Sequence, residues 1–131
     1  MLRGPKTTKR EGIMTIENNA YVFGWNRAIV GREGVAAELF GTTIAYFEKL
    51  QKNGKLESFE PVFLAVHGGD LNGFFYLKGT ATNLHWISQD DEFVDILLRA
   101  THCLEGVGFT PAYRGNAVAD MMTRWTKTIP R

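Results

Sequence analysis

His67, Glu60 and Arg27 are the side chains of this sequence best suited to move a proton or hold a polar substrate. His67 ends a run of strand-type residues and is followed by Gly68 and Gly69, a flexible setting in which an imidazole can exchange a proton near neutral pH. Its other reading is a strand-end histidine held by local hydrogen bonds. Glu60 alternates with Val62, Leu64 and Val66. If that face is buried, its carboxylate is costly unless it finds a donor or lines a cavity. Arg27 is similarly flanked at the same parity by Trp25 and Ile29, and a Glu60–Arg27 pair across a dimer or cavity would explain both. Exposed strand ends are the alternative for both. His67 and Glu60 are therefore the catalytic candidates. Trp25, Arg27, Tyr76 and Tyr113 are the ligand-binding candidates, able to orient a small apolar or aromatic molecule with one or two polar groups.

Other chemistries lack their residues. Ser58 and Ser88 sit in no nucleophile elbow. His85 and His102 have no carboxylate or histidine at ligand spacing, and there is no HExxH, so no metal site is expected. The loop His67-Gly-Gly-Asp-Leu-Asn-Gly73 is glycine-rich but precedes a strand and lacks the Lys-Ser/Thr end of a phosphate loop, which favours a hairpin. No flavin, nicotinamide or iron–sulfur fingerprint is present, so no cofactor is expected.

The elements that must position these residues follow from periodicity. Strands are predicted over Tyr21–Ile29, Leu56–His67, Gly73–Gly79 and Val107–Arg114. A helix is predicted from the Gly31–Gly34 turn to Asn53-Gly54, with Ala36, Phe40, Ile44, Phe47 and Leu50 as its apolar stripe. A short helix over Ala81–Ile87 leads to a second, with Ser88 and Asp91 as a capping box and Phe93, Ile96, Leu97, Ala100 and Leu104 on one side. Gly115-Asn116 opens a last helix bearing Val118, Met121, Met122, Trp125 and Ile129. Pro61 and Pro111 mark their strands as edges, because proline offers no N–H to a ladder. A β-α-β-β-α-β order with those edges makes a ferredoxin-like α+β fold: a four-stranded antiparallel sheet, helices on one face and an added C-terminal helix. Between Pro61 and Val66, and again over Phe74–Leu77, both strand faces are apolar. The helices can cover one, so the other is expected to meet a second copy in a homodimer.

At 131 residues and 44% hydrophobic content the chain has enough apolar material for one core. The expected division is a flexible N-terminal arm, residues 1–19, and a single domain over 20–131. The first 13 residues hold four basic side chains and one acidic, and read as a disordered arm, a cloning remnant or an over-long gene start before Met14. Without them the net charge changes from +1 to −2, which gives no electrostatic reason to expect nucleic acid. No apolar run approaches the roughly 20 residues that span a bilayer, so no membrane association is expected. Cys103 is alone, which suits a reducing cytoplasmic location and a small buried hydrophobe.

Three stretches together resemble the dimeric α/β barrel superfamily, over about residues 20–129. They are the apolar hairpin Phe63 to Leu77, the segment Leu84-His-Trp-Ile-Ser-Gln-Asp-Asp-Glu-Phe93, and Gly106-Val-Gly-Phe109 followed by a glycine-led helix. The resemblance implies a dimer of ferredoxin-like protomers with a small-molecule pocket between sheet and helices. It leaves three functions open: a binder of a small apolar or aromatic molecule, a cofactor-independent monooxygenase or isomerase, and a non-catalytic assembly module.

Overall fold

The computed structural model describes residues 7–10 and 13–130. Its chain order is β1 (Thr7–Arg10), β2 (Ile13–Ile16), β3 (Ala20–Trp25), β4 (Arg27–Ala28), α1 (Glu33–Lys52), β5 (Ser58–Phe63), β6 (Gly73–Lys78), α2 (Ala81–Gln89), α3 (Asp91–Cys103), β7 (Leu104–Glu105), β8 (Gly108–Ala112) and α4 (Asn116–Lys127).

Four of the strands form an open antiparallel sheet in the order β5-β6-β3-β8. Pro61 lies in β5 and Pro111 in β8, the two edges, where a missing ladder donor costs least. Register sorts the side chains by face. Phe23 stands opposite Phe75 and Phe109, Tyr21 opposite Leu77 and Pro111, and Trp25 opposite Gly73. Phe59, Pro61 and Phe63 join that face from β5. The other face carries Val22, Gly24, Val62, Phe74 and Tyr76, with Glu60 opposite Tyr76.

Helices α1 and α3 cover the aromatic face. Phe47 of α1 meets Phe75 edge-on, ring centroids 5.2 Å apart, and Phe93 of α3 packs on Phe109 at 4.7 Å. Leu84 and Ile87 of α2 join the same fully buried core. The helices are tied to each other by Tyr46, whose hydroxyl donates to Asp90 Oδ2 at 2.7 Å, and by Lys49 on Glu92. Cys103 is wholly buried, as its place on the α3 stripe predicts.

Several local expectations are corrected. The first strand breaks after Trp25: Asn26 N–H donates to the Glu105 carbonyl, and β4 pairs with β7. The second strand stops at Phe63, opposite the start of β6, leaving Val66 fully exposed in a loop. Ser88 forms no capping box. Its hydroxyl donates back to the His85 carbonyl at 2.6 Å, inside the last turn of α2, and the cap of α3 is Asp90. On α1 the deepest residues are Leu39, Thr43, Tyr46, Phe47 and Leu50, while Ala36, Phe40 and Ile44 are only half buried. Within the expected arm, β1 and β2 pair as a short antiparallel ladder that α4 touches. Residues 1–6, 11 and 12 of that arm lie outside the described residues.

No helix among the described residues is long and apolar enough to cross a membrane. Helix α4 buries Ala117 and leaves Val118, Met122 and Trp125 about half exposed, as is Ile129 just past its end.

Candidate functional site

A cavity of about 330 Å³ opens between the first half of α1 and the Trp25 end of the sheet. Its origin is local. Ala28, Ala36 and Ala37 stand on its wall, against the large rings of Phe23, Trp25, Phe40 and Phe63. Small side chains facing an aromatic layer leave unfilled volume where the rest of the core is closed by phenylalanines. Leu39, Thr43 and Leu104 complete the lining.

The rings form a continuous aromatic surface. Trp25 meets Phe40 edge-on at 6.2 Å and Phe63 at 6.3 Å, and Phe40 meets Phe63 at 5.2 Å. Phe63 is 68% exposed and stands at the rim. Trp25 is held from behind by Phe75 at 5.7 Å and by the backbone of Gly73. A Cβ on Gly73 would lie 2.6 Å from the indole ring, so only glycine lets the indole lie there.

Among the described residues no charged side chain lines the cavity. The lining side chains that carry a polar atom are Trp25 and Thr43, and the Thr43 hydroxyl donates to the Leu39 carbonyl at 2.8 Å. Such a surface favours a neutral apolar guest, because an ion loses its hydration and gains no counter-charge. A wider depression of about 970 Å³ runs past Glu48, Lys49 and Lys52 on α1, but its lining is solvated helix surface.

Of the six residues singled out from sequence, Trp25 alone lines the cavity. His67 is exposed in the β5–β6 loop. Its Nδ1 accepts from Gly69 N–H at 3.2 Å, which leaves Nε2–H to donate to the Leu71 carbonyl at 3.0 Å. Both ring nitrogens are thus engaged by backbone, the arrangement of a loop tie. Arg27 pairs with Glu105, Nε to Oε2 3.4 Å, in place of Glu60. Glu60 is exposed on the reverse face beside Tyr76, whose ring carries Lys78 Nζ at 5.1 Å. Tyr113 follows β8 and is exposed. The residues that sequence reasoning missed are Phe40, Phe63, Thr43 and the alanines. Ala36 on the α1 stripe and Ala37 next to it were the available signal, but placing them in one cavity wall with Trp25 needs the helix-to-sheet docking.

Tyr46 and Cys103 are buried titratable groups elsewhere in the core. Burial, with Asp90 as hydrogen-bond acceptor and the nearby Asp90 and Glu92 charges, raises the Tyr46 phenol well above the ordinary tyrosine range. Burial likewise pushes the Cys103 thiol up, against the opposing pull of Arg32 and Arg99. Among the described residues no group of three or more His, Cys, Asp or Glu is placed to hold a metal ion.

Comparison with known proteins brings no match: no family model matches the sequence, and no curated protein or solved structure is significantly similar to it.

Proposed function

We propose that this protein is a ferredoxin-like protomer, of the kind seen in dimeric α/β barrels, that binds a small apolar or aromatic molecule between its sheet and α1. The observation that carries the reading is the 330 Å³ cavity with its wall of Phe23, Trp25, Phe40 and Phe63. The volume falls at the small end of ligand sites, and the lining is mostly apolar with few polar atoms, as such sites are. The β5-β6-β3-β8 order, with α1 and α3 on one face, supports the protomer architecture. Binding is favoured over a monooxygenase or isomerase activity because the lining holds no acid, base or nucleophile placed for proton transfer.

The test is titration with N-phenyl-1-naphthylamine, a neutral probe that brightens in apolar surroundings. Saturable binding to one site per chain is expected, and Ala36→Phe, which fills the cavity from α1, lowers the affinity at least tenfold while the fold is kept. Absence of saturable binding, or binding indifferent to Ala36→Phe, would refute the reading.

One observation favours assembly as a second property. Val118, Met122 and Trp125 on α4, and Ile129 just past its end, recur at helical spacing and all stay about half exposed. In this reading two copies form a homodimer in which that stripe is covered.

A further inference from the structure

Thr43 is a fully buried polar residue of the core, and it is among the residues that line the cavity. Its hydroxyl hydrogen is committed to the Leu39 carbonyl, 2.8 Å away and one helical turn earlier. A threonine hydroxyl has one donor and two acceptor lone pairs. With the donor spent inside α1, what the hydroxyl oxygen keeps is acceptor capacity. A valine would fill the same volume with no polar atom to satisfy.

The rest of the lining sharpens the consequence. Trp25 supplies the other polar side-chain atom, but its nitrogen-bearing edge is seated on Gly73: Nε1 would be 3.0 Å from a Cβ there. Phe23, Phe40, Phe63, Leu39, Leu104 and the alanines offer hydrocarbon only from their side chains. Among the described residues no lysine or arginine lines the cavity to meet an anion, and no aspartate or glutamate to meet a cation. A guest therefore keeps its affinity if it is neutral, and gains affinity if it brings one donor to the threonine oxygen.

We propose that the cavity selects a neutral ring compound carrying a single hydroxyl or N–H, which donates to Thr43 Oγ1 while the ring lies against Trp25, Phe40 and Phe63. The inference rests on the binding function proposed above and adds the polarity and orientation of the ligand. Thr43 is then a specificity-determining residue, and the molecule enters ring-flat along the aromatic wall with its polar end toward the middle of α1.

Calorimetric titration with three probes of one ring system decides it: naphthalene, 1-naphthol and 1-naphthoate. 1-Naphthol is expected to bind about five- to tenfold more tightly than naphthalene, the contribution of one hydrogen bond. 1-Naphthoate is expected to bind more weakly than either. Thr43→Val is expected to remove the preference for naphthol over naphthalene, read as the ratio of the two affinities in the same variant. Thr43→Ser, which retains the oxygen, preserves the preference. If Thr43→Val does not fold, the wild-type ratio of the two affinities and the Thr43→Ser result still decide. Equal binding of naphthol and naphthalene, a preference that survives Thr43→Val, a preference lost in Thr43→Ser, or tighter binding of naphthoate overturns the inference and leaves the binding function standing. No binding of any probe overturns both.

Discussion

The indole of Trp25 lies across Gly73, its cross-strand partner, so closely that a single added methyl at residue 73 would come within 2.6 Å of the ring. The consequence reaches the cavity, because Trp25 is part of its wall. Gly73→Ala must move the indole or the strand. Overpacking of this kind costs about 1–3 kcal/mol. Urea unfolding is expected to show that loss, and probe affinity should fall with it, whereas an alanine at the exposed, uncrowded Gly41 should leave binding intact. Unchanged probe affinity in Gly73→Ala would separate the ring's position from ligand binding.

Tyr46 makes stability depend on alkaline pH. Its folded pKa is raised by burial and by Asp90, so above about pH 10 the unfolded chain loses this proton while the folded chain keeps it. The folded state binds more protons there, and stability falls as pH rises, by at most about 1.4 kcal/mol per pH unit from this group. Tyr46→Phe removes that component of the slope. It also costs about 1–2 kcal/mol at neutral pH through the lost hydrogen bond to Asp90. Urea midpoints of the two proteins between pH 8 and about pH 11.5 should converge; parallel curves would contradict the assignment.

Cys103 should behave as an inert thiol. It is inaccessible at the end of α3, and burial disfavours its thiolate. Alkylation by iodoacetamide is expected to be at least a hundredfold slower than in the unfolded chain, and to accelerate with urea in step with global unfolding. Rapid labelling in the native protein would mean that the α3–β7 junction opens locally.

The exposed side of α4 gives a mutational test of assembly. Trp125→Glu places a charge in the middle of the Val118, Met122 and Ile129 stripe. Ala117, the buried anchor of the helix, is untouched, so the fold should persist with a change in stability within about 0.5 kcal/mol. Sedimentation velocity is expected to show a dimer for the wild type and a monomer for the variant. A wild-type monomer at micromolar concentration would remove the homodimer.

Features written in the chemistry of one residue or one helical turn were open to reading from the chain alone. Pro61 and Pro111 demand strands with a free edge wherever those strands lie, and both are edges. The Asn53-Gly54 stop is where α1 ends, with Gly54 at φ 81°, and Phe93, Ile96, Ala100 and Cys103 share the buried side of α3. Competition between equally local partners was harder: Ser88 could cap α3 or bond back to His85, and only the observed turn selects the second.

The site depended on docking between distant segments. Arg27 had Glu60 and Glu105 as available carboxylates, and the β4–β7 pairing brings Glu105 opposite it. Phe40 and Ala36 belong to an apolar stripe whose periodicity is the same whether it fills a core or borders a void. Periodicity reports which residues share a side of a helix. The rotation and distance at which α1 settles on the sheet come from many weak contacts summed across Phe47, Phe75 and Phe93. That sum decides that Ala36 and Ala37 share a cavity wall with Trp25.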